Sequence, residues 1–137
     1  MTTPQNIQII ESMYSAFSTG DVPAVLGAMD PQIEWNEAES NMLADGNPYI
    51  GPAAVLEGVF ARLMALHEHF ALKDITTYGM DGNRVLATLR YDAKVRSSGK
   101  TYNAQAAHFW TLNEEGKVIA FQQFVDTKKL ADALGQS

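Results

Sequence analysis

Residues 101–125, TYNAQAAHFWTLNEEGKVIAFQQFV, hold two β-rich runs, Thr101–Leu112 and Val118–Val125. The polar, glycine-bearing stretch Asn113-Glu114-Glu115-Gly116 joins them, and that combination marks a β-hairpin. In the first run His108 alternates with Ala106, Trp110 and Leu112; in the second, Gln123 shares strand parity with Phe121 and Val125. Strand residues two apart face the same side, so these side chains define one interior surface. Upstream, Phe70–Tyr78 and Val85–Val95 are two further β-rich runs, with Asp81-Gly82-Asn83 and Ser97-Ser98-Gly99-Lys100 as their turns. The second half of the chain therefore reads as a meander.

The first half carries helical spacing instead. Pro4, Ile7, Ile10, Tyr14 and Phe17 form an apolar stripe with Thr3 placed to cap it, and the helix stops at Gly20. Asp21 caps a second short helix bearing Val22, Val25, Leu26 and Met29, which the Asp30-Pro31 pair closes. Ile33, Trp35 and Glu37 alternate with Glu34 and Asn36 as a short strand. Residues 38–51, AESNMLADGNPYIG, have the composition of an ordered loop over the surface or a pocket mouth. Pro52 opens a third helix through about Leu66, with Val55, Leu56, Val59, Phe60 and Leu63 on one side, and Asp126 or Thr127 caps a terminal KKLADALG helix. Helices first and antiparallel strands afterwards predict an α+β layer, with three N-terminal helices packed on a curved, mainly antiparallel sheet. At 137 residues the whole chain, 1–137, is expected to be one domain.

Composition excludes several classes of function. Hydrophobic residues make up 46% and charged residues 19%, which suits a packed globule and not a disordered chain. A formal net charge of −6 repels polyanions, so nucleic acid is not an expected partner. Lys128 and Lys129, beside Asp126 and Asp132, read as a solvated helix surface. Without cysteine there is no disulfide, thiolate nucleophile or cysteine metal site. MTTPQNIQII lacks the pattern of a signal peptide, and no segment has the roughly 18–20 apolar residues of a membrane span, so the expected location is the cytoplasm, away from membranes. His67-Glu68-His69 has two imidazoles one residue apart, but it falls where a helix ends and a strand begins and lacks a third ligand. Neither metal nor cofactor is expected, and no glycine-rich phosphate loop or nucleophile elbow is present.

Two pieces carry a family resemblance: the aromatic-small-aromatic-x-x-Gly-Asp turn from Tyr14 to Asp21, YSAFSTGD, and the stretch from His108 to Lys117, HFWTLNEEGK. The chain resembles, over nearly its whole length, the ketosteroid-isomerase-like and polyketide-cyclase-like proteins of the nuclear transport factor 2 superfamily. The resemblance implies a cystatin-like cone in which the sheet wraps around the third helix and leaves an apolar pocket for a small molecule. It also implies a homodimer paired through the outer sheet face.

Counting from the two shared pieces, the isomerase base falls on Glu37, its neutral carboxylic acid on His108 and its tyrosine on Met13, beside Tyr14. The expected catalytic pair is thus Glu37 and His108, capable of proton abstraction next to a carbonyl in an isomerase, cyclase or lyase type of reaction. Met13, Tyr14, Phe17, Trp35, Phe60, Trp110, Phe121, Gln123 and Val125 are the expected ligand-binding residues. The plainer reading makes Glu37 a solvated strand end, His108 a hydrogen-bonded core residue and the protein a non-catalytic binding or dimerisation module. The Asp-Arg-Asp set of limonene-epoxide hydrolases finds no match on Arg90, Asp92 or Asp126.

Overall fold

The computed structural model describes residues 2–135. Helices α1 (Thr3–Ser18) and α2 (Val22–Gly27) lead into strand β1 (Met29–Asn36). A 3₁₀ turn, Met42–Gly46, and a short strand β2 (Tyr49–Ile50) follow. The next helical stretch runs from α3 (Pro52–Val55) through a π-helical turn, Leu56–Phe60, into α4 (Ala61–Leu66). Strands β3 (His67–Met80), β4 (Arg84–Val95), β5 (Thr101–Leu112) and β6 (Val118–Val125) form the meander, and α5 (Thr127–Leu134) ends it.

The six strands make one sheet in the order β2-β1-β6-β5-β4-β3. β1 runs parallel to β6, and every other pairing is antiparallel. Register shifts within β3, between His67 and His69 and between Lys73 and Thr76, are the irregularities that bend a strand and increase its twist.

Several boundaries differ from the sequence expectation, three of them for a clear physical reason. The first helix is capped by Thr2, whose hydroxyl accepts from the Gln5 N–H while the Gln5 side chain accepts from the Thr2 N–H; Thr3 is already helical. The second helix does not reach Met29, which instead pairs with Val118 as the first residue of β1. Regular pairing lapses until Glu34, and that break accommodates Pro31, which has no N–H to give to a ladder. Finally, β3 begins at His67 and not at Phe70, because pairing with Val95 on β4 continues the sheet to the helix end.

The loop between β1 and α3 is ordered by a clamp. Arg62 on α4 donates to both carboxylate oxygens of Asp45, at 2.8 and 3.1 Å, and the Tyr49 hydroxyl donates to the Leu43 carbonyl at 2.6 Å. The 3₁₀ turn is thereby held against the helix. Inside, Ala87, Ala93, Ala104 and Ala106 are buried on the inner face of β4 and β5, in one core with Ile10, Met13 and Tyr14 of α1. On the outer face Tyr78, Leu86, Phe109 and Gln122 lie in register across four strands, and Phe124 nearby is 55% exposed. Among the described residues no helix is long and apolar enough to cross a membrane.

Candidate functional site

Between the sheet and the helices, aromatic and aliphatic side chains converge without filling the space between them. The result is an apolar cavity with about 70 Å³ of free space. That is several times what one water needs and far less than the roughly 300–1,000 Å³ of a pocket for a drug-sized ligand. Met13, Tyr14 and Phe17 of α1 line it together with Trp35, Phe60, Trp110 and Phe121. Met13 and Tyr14 are neighbours on a helix, yet both are buried and both reach the cavity. The π-helical turn shifts the helical register locally, so that the consecutive residues Val59 and Phe60 both line the wall. Trp35 stacks on Phe121 with centroids 3.8 Å apart and meets Phe60 edge-on.

Glu37 follows β1 directly and keeps its inward parity with Ile33 and Trp35. It is 4% exposed, so it is not a solvated strand end. Asn47 pins its backbone, accepting from the Glu37 N–H at 2.9 Å and donating to the Glu37 carbonyl at 2.8 Å. The indole N–H of Trp35 donates to Glu37 Oε2 at 3.0 Å. Burial pushes the carboxyl up to about 7, against the opposing pull of the indole hydrogen bond. A carboxyl poised near neutrality in an apolar wall can take and return a proton.

His108, 6% exposed, sits between two tyrosines. Its Nδ1 lies 2.7 Å from the Tyr14 hydroxyl and its Nε2 2.5 Å from the Tyr91 hydroxyl. Burial pushes the imidazole down to about 3, so it is neutral at physiological pH. With both ring nitrogens engaged, His108 hydrogen-bonds a ligand only if one of these contacts opens. The Trp110 indole N–H donates to the Tyr14 oxygen at 3.0 Å, and the Gln123 amide N–H donates to the Tyr91 oxygen at 2.8 Å. Gln123 Oε1 accepts from the Ala38 N–H at 3.0 Å and from Asn41 at 2.8 Å. Gln123 faces the interior, as its strand parity predicts, and its amide is engaged by Tyr91 and the loop after β1.

The structure thus brings Glu37, His108 and every expected ligand-binding residue except Val125 to one cavity. Val125 is partly buried and packs against the core without lining it, because β6 leaves the cavity before its last residue. The sequence reading missed Tyr91, Tyr102, Asn41 and Leu130, which also line the space. The signal for Tyr91 was its alternation with Ala93 and Val95 on β4. His67 is buried, while Glu68 and His69 are exposed and pair outside with Lys94 and Asp92; the histidine cluster is split between the two faces. No arginine lines the cavity.

The family model described as a SnoaL-like domain matches residues 10–121. Comparison with curated proteins finds no match. Among solved structures, a nuclear transport factor 2-like protein from Burkholderia thailandensis is 30% identical, with 98% of each chain covered and a TM-score of 0.83. A candidate polyketide cyclase from Xanthomonas campestris is 20% identical, with 96% of this chain and 98% of that one covered and a TM-score of 0.81. A candidate isomerase from Bacillus subtilis is 15% identical, covering 100% of this chain and 98% of its own, also with a TM-score of 0.81; at these last two identities the likeness is one of fold. The family match spans most of the chain and agrees with the helices and six-stranded sheet described above: the chain belongs to the SnoaL-like family, on the nuclear transport factor 2-like fold.

Proposed function

We propose that the protein is an acid–base enzyme that binds a small, largely apolar carbonyl compound and moves a proton next to the carbonyl, in an isomerase, cyclase or lyase type of reaction. The observation that carries this reading is Glu37, a carboxyl buried in an apolar wall, tethered by Trp35 and raised to about 7. Such a group serves as a general base at neutral pH, and displaced carboxyl values concentrate at reactive sites. His108 supports the reaction by holding Tyr14 and Tyr91, whose hydroxyls are the polar groups nearest to it. The names of structural neighbours as candidate cyclase and isomerase agree with this class.

Proton abstraction has a direct assay. A panel of small aromatic and alicyclic ketones incubated with the protein in D₂O is expected to gain deuterium α to the carbonyl, followed by proton NMR. Glu37→Gln is expected to slow exchange by roughly 10²–10⁴-fold, the usual contribution of a general base. In the wild type the rate is expected to rise with pH and level off above about pH 7, as Glu37 loses its proton. Exchange no faster than the protein-free blank across the panel refutes the enzyme reading.

The crowding of Phe60 and Trp110 on Trp35, with ring centroids 5.6 and 5.8 Å from its own, favours a second reading, a non-catalytic ligand-binding or association module of the same fold. Ligand-induced stabilisation without exchange would select it.

A further inference from the structure

The hydrogens around the two buried histidines can be counted. His67 Nδ1 lies 2.8 Å from the Leu63 carbonyl oxygen. A carbonyl only accepts, so Nδ1 carries the hydrogen and the neutral ring has a bare Nε2. Burial lowers the basicity of this imidazole and keeps it neutral. Tyr102, with its hydroxyl 2.7 Å from Nε2, must then donate to it. The Tyr102 oxygen is left with lone pairs alone, and Tyr102 lines the cavity.

Around His108 the count has the opposite outcome. Its two contacts, with Tyr14 and Tyr91, involve three hydrogens, one on each phenol and one on the neutral imidazole. Two contacts use two hydrogens, so one phenolic O–H is surplus; a protonated ring would leave two. Neither phenol can be relieved by reversing its other partner. The Trp110 indole only donates, and Gln123 is locked in orientation because its Oε1 receives the Ala38 N–H. With the ring hydrogen on Nε2 the free hydrogen is that of Tyr91, and with it on Nδ1 the free hydrogen is that of Tyr14. Tyr91 pairs with Ala104 and Tyr102 with Ala93, so the two tyrosines are diagonal neighbours on paired strands, their Cα atoms on the order of 7–8 Å apart.

We propose that His108 carries its ring hydrogen on Nε2, so that the cavity has a fixed polarity, with a hydrogen-bond donor at Tyr91 and an acceptor at Tyr102, and selects a carbonyl compound that also bears a hydroxyl or amine hydrogen. The carbonyl oxygen takes the Tyr91 hydrogen, and the hydroxyl or amine donates to Tyr102. This inference rests on the proposed carbonyl ligand and adds the second group that the ligand must carry.

Calorimetric titration with 3- and 4-hydroxyacetophenone and their methoxy counterparts tests it, because the methoxy compounds keep the acceptor and lose the donor. The hydroxy compounds are expected to bind roughly tenfold tighter, the worth of one matched hydrogen bond. Tyr102→Phe should erase that difference, and Tyr91→Phe should weaken all four ketones roughly tenfold. Equal affinity of hydroxy and methoxy compounds for the wild type, or a difference that survives in Tyr102→Phe, overturns the polarity but leaves the carbonyl pocket standing. Failure of all four to bind removes the carbonyl reading itself, and the polarity with it. Nitrogen-15 spectra of the unliganded wild type give a check that needs no variant to fold: His67 is expected as the Nδ1–H tautomer, and an Nε2–H signal there overturns the assignment of Tyr102 as acceptor.

Discussion

Glu37 and His108 are displaced by the same burial in opposite chemical senses, and stability should record both. The Glu37 carboxyl loses its proton near pH 4.5 when unfolded and near pH 7 when folded. Between those values the folded state holds the extra proton, so Glu37 makes stability fall as pH rises, by about 3 kcal/mol in all. The His108 imidazole gains its proton below about 6.5 when unfolded and only near 3 when folded. There the unfolded state holds the extra proton, so His108 makes stability rise with pH. From about pH 4.5 to 6.5 the two slopes cancel. Removing one should uncover the other: relative to wild type, Glu37→Gln is expected to gain about 1.4 kcal/mol per pH unit across that interval. Urea melts of both proteins in half-unit steps measure the difference, and parallel pH profiles would contradict the burial of Glu37 as an ionisable group. The two residues were legible through the family resemblance, counted from the Tyr14–Asp21 turn and the His108–Lys117 stretch; that Glu37 points inward was not, because it stands where a strand gives way to a loop. Their surroundings were not: Tyr91 reaches His108 from a neighbouring strand and Asn41 reaches Gln123 from a loop, and periodicity within one element carries no information about such cross-element contacts.

Among the elements, the helical stretch from Pro52 to Leu66 shows best where local rules yield to packing. Alanine is a better helix former than glycine by about 1 kcal/mol, so propensity alone favours Gly58→Ala. A Cβ at Gly58, however, would lie 2.1 Å from Tyr49 Cε1. The tyrosine ring would have to leave its place, giving up its bond to the Leu43 carbonyl and its contact with Asp45. Gly58→Ala is therefore expected to destabilise by about 1–3 kcal/mol, the usual cost of overpacking, as read by denaturant unfolding. An unchanged or raised midpoint would show that Tyr49 is dispensable to the clamp. Although the stretch 38–51, read as a loop, holds the 3₁₀ turn and β2, the other helices and strands were legible, since the 3.6-residue and two-residue periods and the glycine-bearing turns are local signals. The π-helical turn and the pairing break around Pro31 were not, because each is set by what the element packs against.

For the whole molecule, we propose that two copies pair through the outer sheet face. Tyr78, Leu86, Phe109 and Phe124 make that face apolar, and extended apolar surface on a folded protein marks an association site. Light scattering is expected to give twice the 15.0 kDa chain mass, and Phe124→Glu to return it to one; a wild-type monomer at micromolar and higher concentrations excludes the pairing. The sheet order has another consequence, for synthesis on the ribosome. Trp35 of β1 has its parallel partner in Phe121 of β6, which is made more than eighty residues later. At about 5–20 residues per second, several seconds separate their emergence. During that delay Ile33, Trp35 and Glu37 lack the strand that completes their burial, and the nascent chain is open to proteases and to chaperones that hold apolar segments.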